Sequence, residues 1–99
     1  MVLKYKTDKN QAEIVNVLRA IGATVIDLHM VGRGCPDLLV GFRGENHLFE
    51  IKNGWKGRLT PMQKELFKTW TGDKIKIIRN IGDAFKVLGV SGSDGIGND

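Results

Sequence analysis

Two neighbouring segments near the middle of the chain constrain its fold more than any other feature. Asp37–Phe42 and His47–Lys52 are short and rich in apolar residues, and the turn signal Gly44-Glu45-Asn46 separates them. Such a pair predicts a β-hairpin. Because side chains alternate along a strand, both faces of this hairpin carry apolar residues, so the hairpin is expected in a sheet covered on both sides. The sequence therefore predicts an α/β protein.

Three helices and two further strands are predicted around the hairpin. Asp8 as N-cap, with Gln11 in the capping-box position, begins a helix that runs to about Ile21. An N-cap Thr60 followed by Pro61 marks the start of the second helix. The other elements are a strand at Thr24–Met30, a strand at Lys74–Arg79 and a short helix at Ile81–Leu88. The predicted order is αβββαβα, with a mixed four-stranded sheet flanked by helices.

Apolar stripes define the buried faces of the first two helices. The stripe of the first helix consists of Ile14, Val17, Leu18 and Ile21, and that of the second consists of Met62, Leu66, Phe67 and Trp70. Gly22 and Gly72 are placed to end these helices. Glu13 lies roughly 90° from the middle of the first stripe, which predicts a position at the border between core and solvent.

Length and charge limit the class of partner. The 99 residues are too few for two self-sufficient cores, and the Gly- and Ser-rich segment 89–99 is predicted to be flexible, which leaves a domain at residues 1–88. Of the 11 acidic residues, Asp94 and Asp99 lie in the tail, so the domain carries 15 basic against 9 acidic side chains. This excess favours a polyanion such as nucleic acid, although it also serves solubility alone.

Other features exclude several classes of protein. No stretch approaches the roughly 20 apolar residues that a membrane helix needs, and residues 1–6 alternate apolar and basic side chains, unlike a secretory signal. Cys35 is the only cysteine, so no intrachain disulfide can form and a reducing, cytoplasmic setting is expected. Neither a membrane nor an organic cofactor is expected as a partner.

Charged residues gather at one end of the predicted hairpin. If the chain turns at Gly44-Glu45, Asp37 lies opposite Lys52, and the period of two places both on one face with Glu50. Two carboxylates there can hold a divalent cation, and Lys52 can orient water or stabilise the transition state of phosphodiester hydrolysis. A plain ion pair, in which Lys52 neutralises Asp37 or Glu50, fits the same spacing.

The wider set of residues resembles a known family. Pro36-Asp37 is followed, after twelve residues, by Glu50-Ile51-Lys52; Glu13 lies on the preceding helix and Leu59-Thr60-Pro61-Met62-Gln63 opens the following one. This set resembles the VRR-NUC branch of the PD-(D/E)XK nuclease superfamily, the virus-type replication and repair nucleases, over about residues 8 to 88. The resemblance implies a restriction-endonuclease-like core. Stand-alone copies of this size are typical of bacteriophages, which implies action in the host cytoplasm.

The resemblance also implies a role for each matching residue. The implied ligands of Mg²⁺ or Mn²⁺ are Asp37, Glu50, the backbone carbonyl of Ile51 and, directly or through water, Glu13. Lys52 would position the attacking water. Gln63 matches a glutamine near the active site of the family, although its position in the first helical turn equally suits a capping role. Cys35 is interpreted as a small buried apolar residue, since no zinc-binding set surrounds it.

Five further residues are candidates for DNA contact. Arg33 lies between two glycines before Asp37, and Trp55, Lys56 and Arg58 form an aromatic and basic loop suited to a stacked base or a phosphate backbone. Lys64 extends this track on the second helix. Each has a structural alternative, namely a mobile surface loop, a tryptophan folded onto the core, or an ordinary solvated helix face.

These inferences together predict a metal-dependent, structure-specific DNA endonuclease. A small domain has few loops with which to surround a duplex, and a two-fold dimer would present two metal sites to a two-fold symmetric substrate. Stand-alone members of the family resolve four-way (Holliday) junctions, so a homodimer that acts on such junctions is expected, with Phe67, Trp70 and the last helix as candidate contacts. The alternatives are a monomeric nuclease for flaps or duplex nicking, a non-catalytic nucleic-acid-binding module, and a protein-interaction domain.

Overall fold

The protein is an α/β fold in which three helices flank one mixed sheet, as seen in a computed structural model that describes residues 9–54 and 57–91. The elements are α1 (Lys9–Ala20), β1 (Thr24–Asp27), β2 (Leu38–Phe42), β3 (Glu45–Ile51), α2 (Pro61–Thr69), β4 (Lys76–Ile78) and α3 (Ile81–Leu88). The sheet order is β1-β2-β3-β4; the first three strands are antiparallel and β4 is parallel to β3. The predicted element order and the mixed four-stranded sheet are confirmed. None of these helices is long and apolar enough to cross a membrane.

The main core lies between the sheet and helices α1 and α3. Ile14 and Leu18 of the predicted stripe are buried, and Val17 and Ile21 are half-buried. The buried apolar residues facing them come from all four strands and α3: Val25, Leu38, Val40, Phe42, Phe49, Ile51, Ile78, Ala84 and Leu88. Gly22 adopts a φ of +100°, as predicted for a helix C-cap. The predicted N-cap, Asp8, lies outside the described residues.

The opposite face of the sheet is covered less completely, by α2. None of the nine residues of this helix, all of which are described, is buried. Leu66 and Phe67 are half-buried, whereas Met62 and Trp70 are exposed, so the prediction that these two enter the core is wrong. The helix ends at Thr69 because Trp70 is extended, with ψ of 122°, and Gly72 does not end it.

The β2–β3 hairpin has a register that differs from the predicted one by two residues. Phe42 pairs with Glu45, so the turn is Arg43-Gly44 and Asp37 lies next to Glu50 rather than opposite Lys52. Both turn residues have positive φ, 51° and 82°, the combination of a type I′ turn, whose twist matches the flanking strands. A shift of two residues leaves every side chain on its predicted face.

Other element boundaries in the structure differ from the predicted ones by a few residues. β1 ends at Asp27 rather than at Met30, and β4 is confined to Lys76–Ile78. At the C-terminal end, Gly89 adopts a left-handed cap, the Val90 N–H donates to the Phe85 carbonyl over 2.9 Å, and Val90 is 7% exposed. The folded domain therefore extends two residues beyond the predicted limit at 88, because the left-handed glycine returns the chain to the core. Residues 92–99 lie outside the described part.

Candidate active site

One end of the sheet collects the residues that the sequence singled out. The last residue of β1, Asp27, pairs with the first residue of β2, Leu38, and the last residues of β3 and β4 pair with each other. We call this edge the carboxylate end, defined by Asp27, Asp37 and Glu50. The beginning of α1 also reaches it, because the Asn10 amide donates to the carbonyls of Lys52 and Arg79 over 3.3 and 3.2 Å. The carboxylate end is thus built from both hairpin strands and their neighbours.

Asp37 and Glu50 lie side by side across the end of the hairpin. Asp37 Oδ2 accepts a hydrogen bond from the backbone N–H of Ile51 over 2.8 Å, which continues the ladder beyond the last strand pair. The N–H and C=O of one strand residue point to the same edge, so the Ile51 carbonyl is directed toward β2 as well. The predicted oxygen ligands Asp37, Glu50 and Ile51 are therefore adjacent.

Lys52 and Gln63 hold one oxygen of Glu50. The Lys52 ammonium lies 3.3 Å from Glu50 Oε2, and the Gln63 amide donates to the same oxygen over 2.8 Å. Gln63 Oε1 accepts from Lys52 Nζ over 3.2 Å and from the Thr60 N–H over 2.9 Å. The Gln63 side chain therefore completes the capping box of α2 and also contacts both Glu50 and Lys52.

The other oxygen of Glu50 is without a partner. Glu50 is 3% exposed, and among the described residues its Oε1 has no hydrogen-bond partner. Burial and the neighbouring Asp37 charge raise the pKa of Glu50 to about 7, against the opposing effects of Lys52 and Gln63. Burial likewise raises the pKa of Asp37, although its hydrogen bond from the Ile51 N–H, the Lys52 charge and a hydrogen bond shared with the Glu50 side chain oppose this. The site thus holds two carboxyl groups that resist ionisation.

The donor set fits a magnesium-type ion that keeps part of its water shell. Within residues 9–54 and 57–91, no group of three or more His, Cys, Asp or Glu side chains is close enough to form a complete metal cage. Mg²⁺ is commonly held by one or two carboxylates, with water and substrate phosphate completing the octahedron. Asp37, Glu50 and the Ile51 carbonyl match that pattern, and the unpartnered Oε1 supplies a free ligand atom.

The first helix presents a different residue to the carboxylate end than the one predicted. Glu13 is exposed and lines a cleft with Asn80 and Ile81 at the start of α3. Gln11 is buried and donates to Asp27 Oδ2 over 3.5 Å. Residues two positions apart on an α-helix point about 200° apart, so the Gln11 and Glu13 side chains face different directions. The structure does not bring Glu13 to Asp37 and Glu50, contrary to the expected ligand set.

Three of the five predicted DNA-contact residues are described by the structure, and all three are exposed. Arg33 is exposed in a left-handed conformation, with φ of 58°, within a Gly-Arg-Gly turn. A Cβ at Gly34 would lie 2.9 Å from the Met62 carbonyl oxygen, so this turn packs closely on the beginning of α2. Arg58 and Lys64 are exposed; Trp55 and Lys56 lie outside the described residues.

Cys35 lies near the two acids. Burial raises the pKa of its thiol, as do the charges of Glu50 and Asp37. The side chain is half-buried rather than fully buried, in partial agreement with its interpretation as a small core residue. Its position beside two carboxyl groups, without a second thiol or imidazole in the same group of described residues, does not suit zinc.

Sequence reasoning missed two features at this end of the fold. The Arg79 guanidinium donates to the Gly54 carbonyl and so anchors the loop that follows β3. His29 pairs with Asp27 over 2.6 Å directly beyond the last residue of β1. An Asp-x-His spacing after a strand indicates this pair, but the predicted strand Thr24–Met30 runs through His29, whereas β1 ends at Asp27.

The arrangement places two carboxyl groups, which could hold a divalent cation, beside the ammonium of Lys52. Comparison with protein families, curated proteins and solved structures gave no match to this chain. The case for a function therefore depends on the chemistry of the site.

Proposed function

We propose that the protein is a Mg²⁺- or Mn²⁺-dependent DNA endonuclease of the PD-(D/E)XK type, with a restriction-endonuclease-like core. The observation that carries the proposal is the buried Glu50, whose unpartnered Oε1 lies beside Asp37 while Lys52 and Gln63 hold its other oxygen. A buried acid that lacks a partner costs stability unless a cation completes its coordination.

Each residue of the site has a defined part in hydrolysis. Asp37, Glu50 and the Ile51 carbonyl would hold the cation, which supplies Lewis acidity toward the phosphate and lowers the pKa of water. Lys52 is 16% exposed and its ammonium has three donors. Glu50 and Gln63 occupy two of them, so the third can hold the attacking water or the charge that develops on the phosphate oxygens.

Helix termini strengthen the attraction for phosphate. The first turn of α1 contacts Lys52 and Arg79 backbone carbonyls, the first turn of α2 supplies Gln63, and α3 begins two residues after Arg79. All three helices therefore direct their N-terminal, partly positive ends toward the carboxylate end. With the excess of basic residues in the domain, this field favours the DNA backbone over a neutral substrate.

We propose a homodimer and a four-way DNA junction as the substrate. The exposed apolar surface at the end of α2 is the favoured dimer contact, because Trp70, which follows the helix, is 44% exposed and lines a cleft of about 410 Å³ with Leu39 and Leu48. The last helix is less suited, since its Ala84 and Leu88 are already buried in the core. A two-fold axis would place two sites on strands of opposite polarity.

Cleavage of defined DNA structures tests this proposal. Labelled four-way junction, flap and linear duplex are incubated with the protein in Mg²⁺ or Mn²⁺, and in parallel in Ca²⁺ or EDTA. We expect metal-dependent, symmetric junction cleavage that is lost in Asp37→Asn and Lys52→Ala and retained in the exposed control Glu65→Gln. Cleavage of flaps alone would favour the monomeric nuclease, and junction binding without cleavage would favour a non-catalytic module. Undiminished cleavage by either active-site variant would refute the site assignment.

A further inference from the structure

A second polar cluster lies at the carboxylate end, outside the proposed catalytic set. Asp27 Oδ1 accepts hydrogen bonds from the backbone N–H of His29 over 2.8 Å and from its ring Nδ1 over 2.6 Å. The other oxygen, Oδ2, accepts from the amide of Gln11, which is 7% exposed. Both oxygens of Asp27 are therefore fixed, and the imidazole is held by a carboxylate that a buried amide positions in turn.

This arrangement leaves Nε2 as the chemically available atom of His29. An Nδ1–H bond to a carboxylate sets the orientation and protonation of an imidazole, as in acid–base dyads of hydrolases. The His29 side chain is 48% exposed, and no hydrogen bond from its Nε2 to another described residue is present. The ring is thus oriented from one side and open to a substrate on the other.

The backbone places His29 close to the proposed metal ligands. The Leu28 N–H donates to the Asp37 carbonyl over 2.8 Å, so His29 directly follows the residue that pairs with Asp37. The Cα atoms of paired residues lie about 5 Å apart, and consecutive Cα atoms lie 3.8 Å apart. The Cα atoms of His29 and Asp37 are therefore within about 9 Å of each other. The Asp27 charge also acts on Asp37, where it raises the pKa of that acid.

The two clusters approach the end of the sheet from opposite faces. Asp27 pairs with Leu38 and contacts α1 through Gln11, whereas Glu50 and Lys52 face α2 through Gln63. In-line displacement at phosphorus requires the attacking and leaving oxygens on opposite sides. If Lys52 holds the water on the α2 side, the leaving oxygen departs toward α1 and therefore toward His29.

We propose that His29, oriented by Asp27, is the catalytic residue that protonates the leaving oxygen of the DNA strand; this inference rests on the proposed function. The bond from water oxygen to phosphorus forms as the bond from phosphorus to the leaving oxygen breaks. In its imidazolium form, His29 gives the Nε2 proton to the leaving oxygen and keeps the Nδ1–H on Asp27, and the attacking water loses one proton to solvent. Solvent then returns a proton to His29. Asp27 and Gln11 are positioning residues.

Replacement of the leaving oxygen by sulfur tests this role, because a thiolate departs without protonation. His29→Ala is compared with wild type on a junction with its normal phosphodiester and on one with sulfur at the leaving position of the cut site. General acid–base groups contribute typically 10²–10⁴-fold. We expect a loss of that size on the normal junction and less than about tenfold on the sulfur junction, with His47→Gln near wild type on both. Asp27→Asn should show the same selective loss to a smaller extent.

The outcomes separate this inference from the proposed function. Equal cleavage by His29→Ala and wild type on the normal junction, or an equal loss on both junctions, overturns the role of His29 while the nuclease proposal stands. Failure of wild type to cleave either junction overturns both. Stabilisation of the variants by Mn²⁺ during thermal unfolding provides a second readout, because a proton donor is dispensable for metal binding. Loss of that stabilisation in His29→Ala would also contradict the assignment.

Discussion

Glu50→Gln gives the sharpest test of the candidate site, because a metal site and a structural ion pair predict opposite results. In a structural pair, removal of the Glu50 charge leaves the Lys52 ammonium poorly compensated and destabilises the protein. In a metal site studied without metal, burial and the Asp37 charge disfavour ionisation of Glu50. The neutral isostere glutamine is then better tolerated than the ionised acid. Gln can still accept from Gln63 and Lys52 through one oxygen.

The expected magnitude follows from the pKa of Glu50. Its rise from 4.5 to about 7 on folding corresponds to about 3 kcal/mol, at 1.36 kcal/mol per pH unit. The folded state binds the proton more tightly, so the penalty is absent below pH 4.5, grows between pH 4.5 and 7 and is complete above pH 7. We expect Glu50→Gln to be more stable than wild type by up to about 3 kcal/mol at pH 8 and equal to it near pH 4.5.

Urea unfolding in EDTA, followed by tryptophan fluorescence at pH 4.5 and pH 8, measures this difference. Glu65→Gln, an exposed acid on α2, is the matched control and should change stability little at either pH. Added Mn²⁺ should stabilise wild type at pH 8 by mass action and leave Glu50→Gln unchanged. A Glu50→Gln variant that is less stable than wild type at pH 8, or that remains more stable at pH 4.5, would refute the interpretation of Glu50 as a metal ligand.

Four further predictions follow from particular contacts. Lys52→Ala should abolish cleavage while Mn²⁺ still raises the thermal unfolding temperature; loss of both would show that Lys52 acts through metal binding. Gln63→Ala should lower the free energy of unfolding by about 1 kcal/mol through the lost capping box and also reduce cleavage, whereas a purely structural role predicts the first effect alone. Gly34→Ala should destabilise by about 1–3 kcal/mol more than Gly32→Ala in urea unfolding, because both have positive φ but only at Gly34 would a Cβ meet backbone at 2.9 Å. Light scattering should give about twice the 11.0 kDa chain mass for wild type and a smaller value for Trp70→Glu; a monomer that still cuts junctions symmetrically would contradict the dimer.

The hairpin and its charged end were predictable because strand periodicity survives an error in register. Asp37, Glu50 and Lys52 share a face whether the turn is at Gly44-Glu45 or at Arg43-Gly44, since the two registers differ by two residues. The cross-strand neighbour of Asp37 was not predictable, because it depends on a turn in which Arg43 adopts a positive φ. Propensity disfavours that conformation for arginine, and the flanking strand twist outweighs it.

Residues on α1 were less predictable because their roles depend on helix rotation. Glu13 was the only acid on that helix and therefore the natural candidate ligand, but its direction depends on how the stripe around Ile14 and Leu18 packs on the sheet. Gln11 was interpreted as a capping residue, and its contact with Asp27 spans 16 residues of sequence. Such a pair follows from tertiary packing, on which local periodicity carries no information.

Gln63 shows how so small a domain can order the candidate site without additional elements. Its Oε1 accepts from the Thr60 N–H, which fixes the start of α2, and also from Lys52, while its amide group holds Glu50. The formation of α2 and the placement of Lys52 and Glu50 are therefore coupled through one side chain. Because none of the residues of α2 is buried, this polar junction supplies part of the attachment that apolar packing does not. Binding of a cation by Glu50 should consequently protect the first turn of α2 from hydrogen exchange as well as the end of β3, and protection confined to β3 would show that the site and the helix are not coupled.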